Sequence, residues 1–549
     1  MAKQKSKLLL LVGVLLLGFQ LHAEKNRYVV FFADKAETKY RIDSPLEYLS
    51  QKALDRRAKN NQEITVDDFP VNTNYLDSLV KYNVTPYFTS RWFNAALVEA
   101  ELSDLETLAL TDYITGYEYV APGTRLNPIR ETFEVTFEGR EPSIVSSNSS
   151  NQLRMMGVST MHEAGYTGEG VHVAVLDGGF ESVDQSAVFA QVFGNNRLMD
   201  HLDFTTNSEN VFVFADHGTN ALSCMMGYYK EVLVGPGYDM DLSLYITEDV
   251  SNSGNFEYRI EEYNWLFAAE RADSTGVDII STSLGYNHFE DANMNYSYED
   301  TDGKTSVISR AAALASEKGI LVVCSAGNEG NGSWKYITMP ADVASVLTVG
   351  AVNSQNQKSS FSSIGATAAG VIKPDVVALG QGVSVFHSDN SIGTNSGTSF
   401  SAPLIAGLAG GLWQQFPELT NHEIKQLILS ISDHYSDPNN EVGYGLPNYK
   451  VLTGESILSI DEVFADSFTI FPNPFGGDNV SIRIEKGYAR QDLNLKLYAP
   501  DGQLITSEQH TKVRKGDVIE LKVSGQARGM YILSLQSGDQ LKNVKLLRY

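Results

Sequence analysis

Between residues 152 and 455 five short apolar runs, VHVAVLD, DLSLYITED, VDIISTSLG, ILVVCSAGN and VLTVGAV, alternate with stretches of helical character. Apolar runs without polar alternation are buried on both faces, as strands are in a parallel sheet covered by helices on each side. The region is therefore expected to be α/β. In such a sheet, ligands and catalytic groups collect at the carboxyl ends of the strands. Asp177 stands at one of these ends, closing VHVAVLD before Gly178 and Gly179, and Asn328 follows another in SAGNEG. His217 opens HGTNALSCMMG, and Ser399 lies in GTNSGTSFSAP at the mouth of an apolar, glycine-rich helical run. Taken singly, each has an ordinary reading: a turn aspartate, a surface histidine, a turn asparagine, a helix N-cap serine. Taken together, they supply a nucleophile, a base, a carboxylate to orient the base, and a donor for a developing oxyanion.

The flanking regions differ in character. Residues 1–23 carry Lys3, Lys5 and Lys7 before an apolar stretch too short to span a bilayer, and end in LHA, the pattern of a secretory signal peptide. Residues 24–140 mix strand-like and helix-like runs and read as a small α+β domain, and the polar segment 141–151 reads as a linker. Residues 152–455 form the α/β domain, and 467–549, with period-two runs such as VSIRI, LNLKLY and IELKV, read as an antiparallel β-sandwich. The formal charge is −25, which excludes nucleic acid as a natural partner, yet the last segment carries 12 Lys and Arg against 8 Asp and Glu. Two cysteines, Cys224 and Cys324, both in apolar runs, read as buried thiols rather than a disulfide scaffold. No later run is long and apolar enough for a transmembrane segment.

The motifs AVLDGG, DHGTN, STSLGY, SAGNEG and GTSFSAP, in the order Asp, His, Ser, resemble those of the subtilisin-like serine peptidases, the subtilases. An α/β-hydrolase would instead show G-x-S-x-G and the order Ser, Asp, His. The resemblance implies a subtilisin-like parallel sheet with helices on both faces, preceded by a propeptide in 24–140. Asp177, His217 and Ser399 would be the triad, with Asn328 as oxyanion donor. Ser283, Leu284 and Gly285 would form one wall of the pocket for the residue before the scissile bond, Ser325, Ala326 and Gly327 another, and Thr338 and Met339 its floor. Pro403 is expected in the first turn of the serine helix, where proline is tolerated. Asp216 and Asn220 depart from the glycine and histidine more common beside the catalytic histidine. IFPNPF, GMYILSL and KNVKLLRY resemble the C-terminal sorting domain of the type IX secretion system of Bacteroidetes.

The function so implied is a secreted or cell-surface serine endopeptidase acting on protein or peptide substrates, exported through the type IX machinery. The other class is a catalytically inactive surface or adhesion protein on the same scaffold. Small apolar walls favour an uncharged side chain before the scissile bond, although Glu329 at the rim offers a place for a basic one. No cofactor is required. Many subtilases bind calcium, and Glu299, Asp300 and Asp302 offer oxygen ligands, but they lack EF-hand spacing and read as a solvated acidic loop. If the N-terminal domain is a propeptide, the enzyme is expected to cut the polar segment itself, so that the mature chain begins between Ser143 and Gln152.

Overall fold

The structure is a computed structural model that describes residues 25–127, 129–146, 149–229, 232–250, 257–453, 468–484, 491–499, 504–514, 516–523, 525, 527–537 and 540–548. The expected signal peptide, 1–23, lies outside the described residues. The central feature is a seven-stranded parallel sheet in the order Val376–Leu379, Leu347–Val352, Leu321–Ser325, Ile279–Thr282, His172–Asp177, Asp241–Ile246, Leu198–Asp203. Alternate side chains of one strand enter opposite cores. Val173 and Val175 pack with the helix Thr398–Gln415, whereas Ala174 and Leu176 pack with the helices Ile260–Thr275 and Val307–Glu317. Both faces are thus covered, which is why the inner strands are largely apolar, whereas the edge strand Leu198–Asp203 carries Asp200 and His201.

The N-terminal domain is an antiparallel sheet in the order Thr85–Ser90, Ala95–Ala100, Asn26–Phe32, Ile114–Ala121. One face packs on its own helices through Tyr28, Val30 and Phe32. The other, through Val29, Phe88 and Leu97, shares a core with Tyr263 and Phe267 of the α/β domain. A buried ion cluster closes this interface: Asp273, 0% exposed, accepts from Arg56, from Arg57 at 2.6 Å and from Arg91 at 2.5 Å.

Within 141–151, read as a linker, Ser143–Ile144 pairs in parallel with the strand Ser391–Asn395. Just before it, residues read as part of the N-terminal domain pack on the α/β domain instead: Phe133 and Val135 against its core, and Phe137 on Phe193 with ring centroids 4.8 Å apart. A helix then begins at Ser149, and Gln152 is buried with its Oε1 accepting from the Ser384 amide at 3.0 Å. Polar composition misled here because the segment satisfies its hydrogen bonds against another element. The C-terminal segment is the expected antiparallel sandwich. A three-stranded sheet (Phe468–Phe471, Asn479–Ile484, Val518–Lys522) faces a four-stranded one (Gln491–Tyr498, Leu504–Val513, Gly529–Ser537, Gln540–Arg548), and both contribute to one apolar core. Both cysteines are free and buried.

Candidate active site

The strand His172–Asp177 is buried along its length and delivers Asp177 at its carboxyl end. His217 is the second residue of the helix Asp216–Met226. Gly218 lets that helix come close: a Cβ there would stand 2.3 Å from the Gly179 carbonyl oxygen and 3.0 Å from the Asp177 Cβ. The result is a 2.8 Å bond between His217 Nδ1 and Asp177 Oδ1, which also accepts from the Gly178 amide at 2.8 Å. A carboxylate can only accept, so Nδ1 carries the proton and Nε2 is left as the basic nitrogen. Attraction to Asp177, helped by Glu248 and Asp216 and opposed by burial, pushes the His217 pKa up to about 9.

Ser399 is the second residue of the helix Thr398–Gln415, at whose start the amides of Gly397, Thr398 and Phe400 donate to Gly380 O, Asn328 Oδ1 and Gly397 O. Its Oγ lies 3.4 Å from the Ser283 carbonyl oxygen, to which it donates. Engaging His217 requires turning the hydroxyl toward Nε2; catalytic hydrogen bonds are commonly loose before substrate binds. Pro403 is the sixth residue of the helix and does not lie in its first turn as expected. It cannot donate to the Ser399 carbonyl four residues earlier. The Ser283 hydroxyl takes over that role, donating to Ser399 O at 2.8 Å. One serine of the substrate wall therefore holds the backbone of the other serine.

Asn328 Oδ1 accepts from the Thr398 amide at 2.9 Å and from Thr398 Oγ at 3.1 Å. Those two bonds fix the amide's orientation and leave Nδ2 as a donor toward the mouth of the serine helix. Asp177, His217, Asn328 and Ser399 all line one cavity of about 330 Å³.

Of the expected substrate walls, Ser283, Leu284, Gly285, Ser325 and Gly327 line this cavity, with Glu329 at its edge. Thr338 lines it too, whereas Met339 is wholly buried behind it. Ala326 is also wholly buried and does not line it, because its side chain belongs to the core beneath the sheet. Gly285 is needed as glycine, since a Cβ would stand 2.0 Å from Thr338 Oγ. The sequence reading missed Glu248 and Glu257, which line the same cavity. Glu248 had a usable signal, lying two residues past the apolar strand Asp241–Ile246. Glu257 lies in a loop and had none.

The unusual neighbours of the histidine have a structural role. Asp216 Oδ1 accepts from Asn220 Nδ2 at 2.7 Å and from the Ser388 amide at 2.7 Å, and Asn220 also donates to the Phe386 carbonyl at 2.9 Å. Together they tie the histidine helix to the hairpin formed by Val383–His387 and Ser391–Asn395.

The acidic loop offered for calcium does not fit a cation. Asp300 accepts from the Ser297 amide and hydroxyl, each at 2.8 Å, and Asp302 accepts from the amides of Lys304 and Thr305 at 2.9 and 2.8 Å. Their oxygens close turns. Among the described residues no three His, Cys, Asp or Glu side chains converge as metal ligands.

Comparison with known proteins places this geometry in a family. The Subtilase family model matches residues 168–445, half of the chain. The chain is 29% identical to subtilisin NAT of Bacillus subtilis subsp. natto over 277 residues, which is 50% of this chain and 63% of that protein. It is 29% identical to subtilisin of Bacillus pumilus over 291 residues, 52% of this chain and 92% of that one. Serine protease AprX of Bacillus subtilis (strain 168) is 30% identical over 312 residues, 51% of this chain and 66% of its own length. Two further models flank the central match: the Peptidase S8 propeptide domain, Bacteroidota, over residues 27–134, and the Secretion system C-terminal sorting domain over 469–547. A parallel sheet that carries aspartate, histidine and serine in this order, between those two flanking domains, makes the chain a member of the subtilase family.

Proposed function

We propose that the chain is a secreted serine endopeptidase in which Ser399 attacks the peptide carbonyl, His217 is the base, Asp177 orients it, and Asn328 holds the oxyanion. The observation that carries this reading is the 2.8 Å His217–Asp177 bond in the cavity that also holds Ser399 and Asn328. The side chain of the residue before the scissile bond enters between the Ser283–Gly285 and Ser325–Gly327 walls, which presents that residue's carbonyl to Ser399. Ser399 Oγ forms a bond to the carbonyl carbon as its proton passes to His217 Nε2. The carbonyl oxygen takes the negative charge and accepts from the Ser399 amide and Asn328 Nδ2, with the helix N-terminus adding its dipole. The imidazolium, stabilised by Asp177, gives its proton to the leaving amine as the C–N bond breaks. A water then gives a proton to His217 Nε2 as its oxygen bonds to the acyl carbon, and the imidazolium returns that proton to Ser399 Oγ as the acyl C–Oγ bond breaks, releasing the acid and restoring both residues. No step needs a metal or cofactor.

Retention of all four groups with their hydrogen bonds argues against the inactive-scaffold alternative. Hydrolysis of a peptide substrate by purified mature protein is expected, and Ser399→Ala should lower it by at least about a thousandfold. Comparable rates for wild type and Ser399→Ala would reject the reading. The sorting domain supports export by a secretion system, and no helix among the described residues is long and apolar enough to cross a membrane. Truncation after Asp466 should leave active enzyme inside the cell envelope; normal appearance of the truncated protein in the medium would contradict the sorting role.

A further inference from the structure

The catalytic cavity does not end at the Ser283–Gly285 wall. Glu257, Gly285 and Asn287 also line a second cavity of about 450 Å³ with His288, Phe289 and Glu290, so the two form one groove past the site of the residue before the scissile bond. This extension is acidic. Glu248, Glu257 and Glu290 all face the groove, and Tyr286 donates to Glu248 Oε1 at 2.8 Å. Behind them Glu261, 3% exposed, keeps Oε2 without a hydrogen-bond donor. Burial, and after it the charge of Glu257, pushes the Glu248 carboxyl up to about 8, as expected for acids gathered without enough positive charge.

Across the domain boundary, Arg125 is ion-paired with Asp249, the residue after Glu248, and Arg27 acts on Glu261. Both arginines lie within residues 27–134, the segment matched by the propeptide model. Removing that segment withdraws their positive charge from Asp249 and Glu261.

We propose that Glu248 and Glu257 form a subsite that selects an arginine or lysine side chain of the substrate upstream of the scissile bond. The inference rests on the peptidase reading and adds a specificity to it. Glu248 and Glu257 share the catalytic cavity with the Ser283–Gly285 and Ser325–Gly327 walls, and Glu257 and Glu290 carry the acidic lining past Gly285, so an uncharged residue before the bond and a basic one further upstream are compatible. A cation held by charge-assisted hydrogen bonds is favoured over a neutral isostere by roughly ten- to a hundredfold.

The test uses mature wild-type protein and paired fluorogenic peptides that differ only in arginine or citrulline at the second, third or fourth residue before the bond. High salt suppresses the general attraction of cations to an acidic protein. At one or more of these positions the kcat/KM ratio of arginine to citrulline should reach about tenfold or more. In Glu257→Gln or Glu248→Gln that ratio should fall toward one at the same position. Cleavage of the citrulline peptides with no arginine preference at any position overturns this inference and leaves the peptidase standing. A preference unchanged in both variants also overturns it. Failure to cleave any peptide overturns the peptidase reading and this one with it.

Discussion

Pro403 removes a backbone donor from the serine helix four residues after Ser399, and the Ser283 hydroxyl replaces it at 2.8 Å. Ser283→Ala should therefore leave a buried carbonyl short of a donor, at a cost of about 1–3 kcal/mol, and lower kcat/KM by loosening Ser399. In a Pro403→Ala background the alanine amide can supply the missing bond. The loss caused by Ser283→Ala should then shrink, which a double-mutant cycle on stability and kcat/KM detects; strict additivity would contradict the account. The charge around His217 makes a second prediction. Asp177 first, then Glu248 and Asp216, raise its pKa, and a general base works only when deprotonated. Activity should rise with pH, with the acid limb of kcat/KM lying above the ordinary histidine value of about 6.5 and reaching toward 9. The ring is 41% exposed in the empty cleft, so solvent moderates the effect. Glu248, whose carboxyl is itself pushed up to about 8, is charged only toward the upper end of this limb, and Glu248→Gln should move that upper end to lower pH. An acid limb at or below about 6.5 in wild type, or an upward shift in the variant, would show that these carboxylates do not tune the base. The four residues proposed for catalysis could be singled out because strand ends and short motifs localise them. The Ser283 bond could not be, since it joins positions 116 residues apart.

At the scale of elements, the inner strands and the serine helix could be read from mostly apolar runs, because burial on both sides leaves few polar positions, such as Ser243, Ser281 and Thr348. The segment before the catalytic domain could not be. Its polarity over 141–151 suggested a free linker, yet Ser143–Ile144 joins a sheet, and just before it Phe133 and Phe137 pack on Phe212 and Phe193, with centroids 6.1 and 4.8 Å apart. A cut between Ser143 and Gln152 would separate this arm from the chain it is packed against. The structure favours cleavage earlier, after Leu126 and before Phe133, where the chain leaves the N-terminal domain. Mass spectrometry of the mature protein should find its N-terminus there, and Ser399→Ala, made in a host without proteases able to cut the segment, should retain residues from the N-terminal domain. A mature terminus between Ser143 and Gln152 would mean that the arm leaves with the propeptide. The same mature terminus in Ser399→Ala would assign the cut to another protease. The buried cluster of Asp273 with Arg56, Arg57 and Arg91 holds the N-terminal domain until then, since removing one partner of such a pair costs about 3–5 kcal/mol.

Across the whole molecule, charge and burial divide the labour. The parallel sheet supplies a rigid base on which strand ends aim Asp177 and the Ser325–Asn328 loop, and the helix Thr398–Gln415 is buried over most of its length and brings Ser399 to them. The N-terminal domain covers the face formed by the helices Ile260–Thr275 and Val307–Glu317 and pairs Arg125 with Asp249. The sandwich at the C-terminus has its own apolar core, and none of its described residues lines the catalytic cavity. The claim on which the rest depends is that His217 and Asp177 activate Ser399. The direct measurement is labelling of the mature protein with a fluorophosphonate, followed by digestion and mass spectrometry. The account predicts one adduct, on Ser399, which is lost in His217→Ala although the serine remains. Ser399 left unmodified while peptide hydrolysis continues, or labelled equally well in His217→Ala, would contradict it.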